Sequence, residues 1–170
     1  MGSGRRLCSD VGVSNDVHPN VQAVQVSLAA AGATGQIRVL PDAVTTAAAA
    51  AAALGVRVGQ IANSLLFDAD GAPLLVLTSG AHRVDTGKVA ALLGVTAVKR
   101  ATPEFVRTAT GQTIGGVSPV GHPAPVRTLV DTALAQFDEV WAAGGIAHAV
   151  FPTTFDELVR VTGGEPADVA

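Results

Sequence analysis

The sequence has very little cysteine and no long apolar segment. Its only cysteine is Cys8, so it can build neither an internal disulfide framework nor a cysteine-rich zinc site, and a reducing cytoplasm is the expected location. Its longest apolar block, Ala47–Leu54, is far shorter than the roughly 20 residues that cross a bilayer. These absences argue against a disulfide-stabilised secreted scaffold and against a membrane protein.

The amino-terminal residues lack the pattern of a targeting signal. Arg5 and Arg6 are not followed by the apolar stretch that a secretory signal requires. Hydrophobic residues make up 48% of the 170 residues, which is enough to bury a substantial core. We expect residues 1–17 to form a flexible tail, residues 18–165 a single domain, and residues 166–170 a short carboxy-terminal tail.

Positive charge is also scarce. The net charge of −3 has the wrong sign for non-specific binding to DNA or other nucleic acids, which depends on a basic field. A local basic patch remains open, because four basic residues fall within 29 positions: Lys99, Arg100, Arg107 and Arg127. The other interpretation of these residues is a normally solvated surface.

Common motifs for metal, nucleotide and serine chemistry are missing. The four histidines are far apart, no G-x-G-x-x-G or Walker A pattern occurs, and we predict neither a metal nor a cofactor. The segment "GVSPVG" around Ser118 differs from a nucleophile elbow, because its closing glycine comes one position late. In addition, Pro119 has no N–H for an oxyanion hole. A serine hydrolase is therefore a disfavoured alternative.

The order of apolar patterns predicts a mixed α/β (α+β) domain with about seven strands and five helices. Two apolar runs around the turn "DADGA" predict a β-hairpin. A run of alanines, capped by Thr45 or Thr46 and stopped by Gly55, predicts a helix. Because strands occur in adjacent pairs as well as between helices, a doubly wound parallel sheet is not expected.

Asn63 interrupts the first strand of this hairpin. In "QIANSLLF", alternation places Asn63 on one face with Ile61 and Leu65, and Ser64 on the other. A buried amide without partners costs about 1–3 kcal/mol. Asn63 is thus either a structural tie to a neighbouring loop or a polar group directed into a pocket.

A glycine-rich loop, "TIGGVSPVGHP" at residues 113–123, is the second candidate for a site. Gly115 and Gly116 can bring backbone N–H groups close to a ligand, because they have no Cβ. Such a loop suits a carbonyl, carboxylate or phosphate oxygen, although it can also be an ordinary connection. His122 lies within this loop, and His82 follows the hairpin where it could form the rim of a site.

Several segments together resemble the YbaK/prolyl-tRNA-synthetase-associated domain family over residues 20–165. They are "TTAAAAAAALGVRVGQIANSLLF", "PLLVLTSGAHRVDTGKVAALLG", "ATPEFVRTATGQTIGGVSPVGHP", "LVDTALAQFDEVWAAGG" and "FDELVRVTG". The resemblance implies a single domain with a central mixed, barrel-like sheet flanked by helices. It also implies hydrolysis of the ester in mischarged aminoacyl-tRNA, without a metal and without a covalent nucleophile.

The resemblance also implies a set of site residues. The family's G-x-x-x-P motif corresponds to Gly115–Pro119, a loop that holds the aminoacyl group or the terminal adenosine. We expect four residues to be catalytic, namely Asn63, Gly115, Gly116 and Ser118. We expect eight to contact the acceptor end of the tRNA or its amino acid, namely Ser64, Ser79, Gly80, His82, Val117, Pro119, Gly121 and His122.

One position departs from the family pattern. Editing members typically carry a lysine in an "I-x-K-S-L" segment, and Asn63 stands at that place here. An amide offers two donors and one acceptor but no charge. Two functions therefore remain open: a trans-acting deacylase, or a non-catalytic module that binds an aminoacyl or nucleotide-like ligand or a protein partner. The sequence also leaves open whether the chain forms a homodimer.

Overall fold

The structure is a computed structural model that describes residues 17–170. The tail predicted for residues 1–17, with Cys8, lies outside the described residues except for position 17. Within them, no helix is long and apolar enough to cross a membrane. The α-helices of this part are α1 (Pro19–Ala30), α2 (Ala47–Leu54), α3 (Thr86–Leu93), α4 (Pro103–Thr110) and α5 (Phe155–Thr162). Two short 3₁₀ helices cover Val58–Gln60 and Thr132–Gln136.

Within residues 17–170, eight strands form one mixed sheet, one more than the sequence pattern predicts. They are β1 (Arg38–Val39), β2 (Ile61–Ala69), β3 (Ala72–Ser79), β4 (Val98–Arg100), β5 (Arg127–Asp131), β6 (Val140–Ala143), β7 (Ala149–Thr153) and β8 (Glu165–Ala167). The order across the sheet is β1-β7-β6-β2-β3-β5-β8, and β4 pairs with β2 off this path. The predicted mixed α+β class is confirmed, although the sheet does not close into a barrel.

The alanine-rich helix α2 begins and ends as its sequence predicts. The Thr46 hydroxyl accepts a hydrogen bond from the Ala49 N–H at 3.1 Å, which caps the first turn. Gly55 ends the helix in the left-handed conformation, with φ of 69°. The amino end of α2 lies beside the loop of residues 113–123, since Thr45 is next to Gly115.

The hairpin of β2 and β3 turns at Asp70 and Gly71. Both residues have positive φ, 51° and 92°, as a two-residue turn between twisted strands requires. The Asp70 carboxylate also accepts the backbone N–H groups of Thr96 at 2.8 Å and Ala97 at 3.0 Å. These two bonds lower the pKa of Asp70 and fasten the turn to the segment before β4.

Strand β2 is only partly paired along one of its edges. On one edge it pairs with β3 from Ala62 to Ala69. On the other edge, its first two residues pair with β6 and its last three pair with β4. Residues 63–66 between them have no strand partner there among the described residues. At this edge the Ala101 N–H donates to the Leu66 carbonyl at 3.4 Å.

Three apolar clusters cover the two faces of the sheet. The largest cluster packs α1, α4 and α5 on the face that carries Ala62 and Leu66. The other face has two smaller clusters, one that packs α3 against Phe67 and one that packs α2 against Ile61. We call the unpaired edge of residues 63–66 the break in β2. It lies in the central strand, with helices on both faces of the sheet.

The carboxy-terminal residues are part of the fold and not a fraying tail. Strand β8 pairs in parallel with β5, where Asp131 lies opposite Ala167. Val169 is fully buried beside α3, and the Asp85 N–H donates to its carbonyl at 2.8 Å. The sequence signal was weak because β8 is three residues long and contains a proline, which usually marks an edge strand.

Candidate functional site

A cavity of about 520 Å³ opens at the break in β2. Its walls come from β2, the amino end of α2, the turn after β3, β4, the glycine-rich loop, β6 and the start of β7. Five of the twelve predicted site residues line it: Asn63, Ser64, His82, Gly115 and Val117. A cavity of this size is large enough for a small ligand.

Asn63 lies half-buried in the wall of this cavity. Its cross-strand partner is Thr78 on β3, so the two side chains stand on the same face of the sheet. The Asn63 amide makes no hydrogen bond within residues 17–170. Of the two interpretations of Asn63, this placement favours a polar group directed into a pocket over a tie to a neighbouring loop.

Ser64 places its hydroxyl on the face of β2 opposite to Asn63 and its backbone groups along the unpaired edge of residues 63–66. Its Oγ is buried and has no hydrogen-bond partner among the described residues. The Ile61 carbonyl accepts a hydrogen bond from the Gly80 N–H, just after β3. In an antiparallel pair, every second residue of a strand bonds to the same partner, so the backbone N–H and C=O of Ser64 point away from β3. A side-chain hydroxyl and a stretch of strand edge therefore face the break together.

His82 is held at the cavity by a buried carboxylate. Its Nδ1 lies 3.0 Å from Oδ2 of Asp131, whose side chain is 1% exposed while that of His82 is 36% exposed. The same oxygen accepts the Thr78 hydroxyl at 3.2 Å and the Ser79 N–H at 3.0 Å. The other oxygen accepts the Ala133 N–H at 2.9 Å. Asp131 thus orders one end of the site, a role that the sequence pattern did not indicate.

The glycine-rich loop contributes to the cavity at Gly115 and Val117. Gly115 has a φ of 93° and lies against Thr45, where an added Cβ would sit 3.4 Å from the Thr45 methyl group. Gly116 is packed away from the cavity, and its N–H donates to the Thr113 carbonyl at 3.0 Å. Gly116 therefore shapes the loop, while its neighbours on either side reach the cavity wall.

Ser118 is fully buried and does not line the cavity. Its N–H donates to Oε1 of Gln112 at 2.8 Å, and its Oγ accepts from Nε2 of the same side chain at 3.0 Å. The Ser118 hydroxyl also lies within hydrogen-bonding reach of the Val120 carbonyl. Gln112 is 1% exposed, so the pair forms a closed polar cluster under the loop.

This cluster predicts the behaviour of a Ser118→Ala variant. We expect the free energy of unfolding to fall by about 1–3 kcal/mol, because the buried Gln112 amide loses a partner. We also expect no labelling of the wild type by a fluorophosphonate probe, since the hydroxyl is inaccessible. Urea unfolding and mass spectrometry provide the measurements, with Ser27→Ala in α1 as the control. Labelling at Ser118 would contradict this assignment.

Three further predicted residues also lie outside the cavity wall: Pro119, Gly121 and His122. Nε2 of His122 lies 2.8 Å from the Ser118 carbonyl, which fits a ring that donates from that nitrogen. Burial lowers the pKa of His122 and outweighs this bond. Gly121 packs against the backbone of α1, where an added Cβ would lie 3.2 Å from Val24. These residues fix the far end of the loop.

Ser79 and Gly80 stand behind the rim and do not line the cavity. The Ser79 hydroxyl is buried and donates to the Gly59 carbonyl at 2.9 Å. A Cβ on Gly80 would come within 2.7 Å of the Ala47 side chain at the start of α2. Ser79 therefore ties the end of the hairpin to the 3₁₀ helix Val58–Gln60, and Gly80 packs against the start of α2, shortly before His82 in the chain.

Sequence reasoning missed several residues of the wall. Arg83 and Arg100 both line the cavity, and Arg100 had been assigned only to a basic patch. Strands β2 and β3 separate Arg127 on β5 from Arg100 on β4. Nη2 of Arg127 lies 3.8 Å from Oε1 of Glu165. Thr45 and Thr46 also reach the wall from the amino end of α2. Among residues 17–170, no group of three His, Cys, Asp or Glu side chains could hold a metal ion.

Comparison with known proteins identifies relatives for most of the chain. A proline–tRNA ligase of Nitratidesulfovibrio vulgaris (strain DP4) is 37% identical over 91 residues, which are 54% of this chain and 16% of the ligase. The ligase of Bacillus licheniformis is 28% identical in an alignment of length 162 that covers 87% of this chain and 28% of that ligase. The uncharacterized protein YwhH of Bacillus subtilis (strain 168) is 32% identical over 64% of this chain and 69% of YwhH. The chain thus spans less than a third of the two ligases.

Solved structures and a family model agree with these relatives. A structure described as a "putative trans-editing enzyme for prolyl tRNA synthetase" matches with a TM-score of 0.85 and 42% identity, over 91% of this chain and 98% of that one. The family model named aminoacyl-tRNA editing domain matches residues 41–161. The resemblance read from the sequence is confirmed, and the chain belongs to the aminoacyl-tRNA editing domain family.

Proposed function

We propose that this domain hydrolyses the ester of mischarged aminoacyl-tRNA in trans, with the aminoacyl group bound at the break in β2. The observation that carries the proposal is the cavity itself, in which Asn63, Ser64 and Gly115 converge in a chain of the editing family. Relatives named proline–tRNA ligase point to tRNA for proline as the carrier. Such work would take place in the cytoplasm, where tRNA is charged.

The polar groups of the cavity match the parts of an aminoacyl ester. The Asn63 amide would hydrogen-bond the aminoacyl carbonyl or the α-amine. The Ser64 hydroxyl is buried without a partner and would gain one from the substrate. Gly115 and Val117 are loop residues that line the cavity, and their backbone N–H groups would polarise the ester carbonyl while a bound water attacks.

The tRNA would enter past the two arginines of the cavity wall. Arg83 and Arg100 supply positive charge where the net charge of the protein is −3. Arginine binds phosphate oxygens through paired N–H donors, so these residues suit the phosphates of the acceptor end. Amino acids would be distinguished by fit in the cavity, where one methylene is worth about 1–3 kcal/mol.

A deacylation panel tests this proposal. The substrates are tRNA for proline charged with amino acids of increasing size, from glycine through alanine to proline and larger side chains. We expect wild-type protein to hydrolyse the esters of small amino acids faster than the uncatalysed background. No hydrolysis of any ester on the panel would overturn the proposed activity.

Variants of Asn63 test the assigned contact. Asn63→Ala should lower kcat/KM by about tenfold, because one hydrogen bond in the site is worth roughly 1 kcal/mol or somewhat more. Asn63→Lys should retain or raise the rate, since it restores the residue typical of editing members. Gln22→Ala removes an exposed amide from α1 and serves as the control. An unchanged rate for Asn63→Ala would remove Asn63 from the mechanism.

A binding module without turnover is the second candidate, and the amide at position 63 favours it. Without the lysine charge, the cavity could hold an aminoacyl-adenosine group and leave the ester intact. A non-hydrolysable aminoacyl-adenosine analogue distinguishes the two functions. Tight binding of this analogue by a protein that hydrolyses nothing on the panel would favour the binding module.

A further inference from the structure

We propose that His82 is a further catalytic residue, the general base that takes a proton from the attacking water. The inference rests on the proposed deacylase function and names a residue for a step that the backbone amides cannot perform. Amides of the loop can stabilise negative charge on the ester oxygen, but they cannot accept a proton. Within the cavity wall, the neutral imidazole of His82 is a group that can.

Asp131 prepares His82 for this role. A buried carboxylate oxygen, 3.0 Å from Nδ1, selects the tautomer that carries its proton on Nδ1. The other ring nitrogen, Nε2, is then a lone-pair acceptor, and it makes no hydrogen bond within residues 17–170. The arrangement of a carboxylate, an imidazole and an open nitrogen is the one that orients a histidine base in hydrolases.

The base and Asn63 belong to one row of polar side chains across the sheet. Asn63 on β2 lies opposite Thr78 on β3, and the Thr78 hydroxyl donates to Oδ2 of Asp131. That same oxygen holds His82. Asn63 and His82 both line the cavity, so a substrate that hydrogen-bonds to Asn63 occupies the same cavity as the side chain of His82.

The reaction balances with water as the only co-reactant. The water oxygen forms a bond to the ester carbonyl carbon, while one water proton moves to Nε2 of His82. The bond between the carbonyl carbon and the ribose oxygen then breaks, and the proton passes from Nε2 to that ribose oxygen. The products are the free amino acid and the tRNA hydroxyl, and His82 returns to its neutral form.

Several charged groups surround His82 and bear on its pH dependence. Asp131 contacts it directly, Arg83 follows it in the chain, and Arg100 lines the same cavity. Asp168, just after β8, has a pKa that is lowered first by its hydrogen bond to Lys88, and a protonated His82 would lower it slightly further. Because a general base must be unprotonated, the proposal predicts an acidic limb in the pH profile of the enzymatic rate.

The test compares wild type with His82→Ala and His82→Gln on the best ester of the panel. General bases contribute about 100-fold to 10,000-fold, so kcat should fall by at least about 100-fold in both variants. The acidic limb of the wild-type pH profile should disappear, after subtraction of uncatalysed hydrolysis. Added imidazole should restore part of the rate to His82→Ala, which a merely structural histidine would not allow. His18→Ala, at the exposed amino end of α1, is the control.

The outcomes separate this inference from the function on which it rests. A wild type that hydrolyses no ester overturns both. If the wild type and His82→Ala are equally active, the role of His82 as the base is wrong and the deacylase function stands. If His82→Ala unfolds, His82→Gln decides, because glutamine keeps a polar side chain beside Asp131. A rate loss that imidazole cannot restore, with the pH profile unchanged in shape, also overturns the assignment.

Discussion

Asp131→Ala should lower the free energy of unfolding by about 3–5 kcal/mol. The carboxylate accepts four hydrogen bonds from the groups around it: the Thr78 hydroxyl, the Ser79 N–H, the His82 ring and the Ala133 N–H. Its removal leaves buried donors without acceptors, and each such group costs about 1–3 kcal/mol. Urea-induced unfolding, followed by circular dichroism, measures the change.

Two further variants make this expectation specific. Asp138→Ala removes an exposed carboxylate and should change stability by less than about 0.5 kcal/mol. Asp131→Asn keeps one oxygen acceptor and should be less destabilising than Asp131→Ala. A loss below about 1 kcal/mol for Asp131→Ala would mean that the surrounding donors find other partners, and that Asp131 does not organise this end of the site.

The second large effect is expected at Gly116. A Cβ at this position would lie 2.7 Å from the Ile146 carbonyl carbon and 2.9 Å from the Ala147 nitrogen. Because both contacts are with backbone, Gly116→Ala must shift the loop, which costs about 1–3 kcal/mol as overpacking does elsewhere. The shift would also move Gly115 and Val117, so we expect deacylation and binding of the aminoacyl-adenosine analogue to fall together.

Gly87→Ala is the matched control for Gly116→Ala. Neither glycine has a positive φ, so both substitutions test space and not backbone conformation. Gly87 lies in the first turn of α3, where an added Cβ would be 3.5 Å from its nearest neighbour. Alanine should therefore be neutral or slightly stabilising there. Equal stability and activity for the two variants would show that the loop at Gly116 adapts without cost.

Local signals in the sequence carried much of the fold. The Asp70–Gly71 turn, a threonine cap at position 45 or 46 and the Gly55 stop each depend on neighbouring residues, and each was predicted from them. The carboxy-terminal strand β8 was missed because its pairing with β5 is a long-range contact of only three residues. No local pattern in "EPA" distinguishes such a strand from a tail.

The candidate site was predictable only where its residues carry a local anomaly. Asn63 stood out on an apolar strand face, and Gly115 stood out in a glycine-rich loop. Asp131 and His82 are 49 residues apart and meet through the pairing of β3 with β5, which no spacing reveals. Ser118 was assigned a catalytic role through its loop, whereas its burial beside Gln112 depends on how that loop folds back.

The break in β2 has a further consequence for how the protein avoids unwanted association. For the length of residues 63–66, the central strand has the unpaired backbone of an edge strand, which on an open surface would invite another chain to add to the sheet. Here β6 and β4 pair with the same edge on either side, so only these four residues of strand edge are left open to an added chain. The fold can thus offer backbone donors and acceptors to a small ligand while it limits the strand edge that a second protein could use.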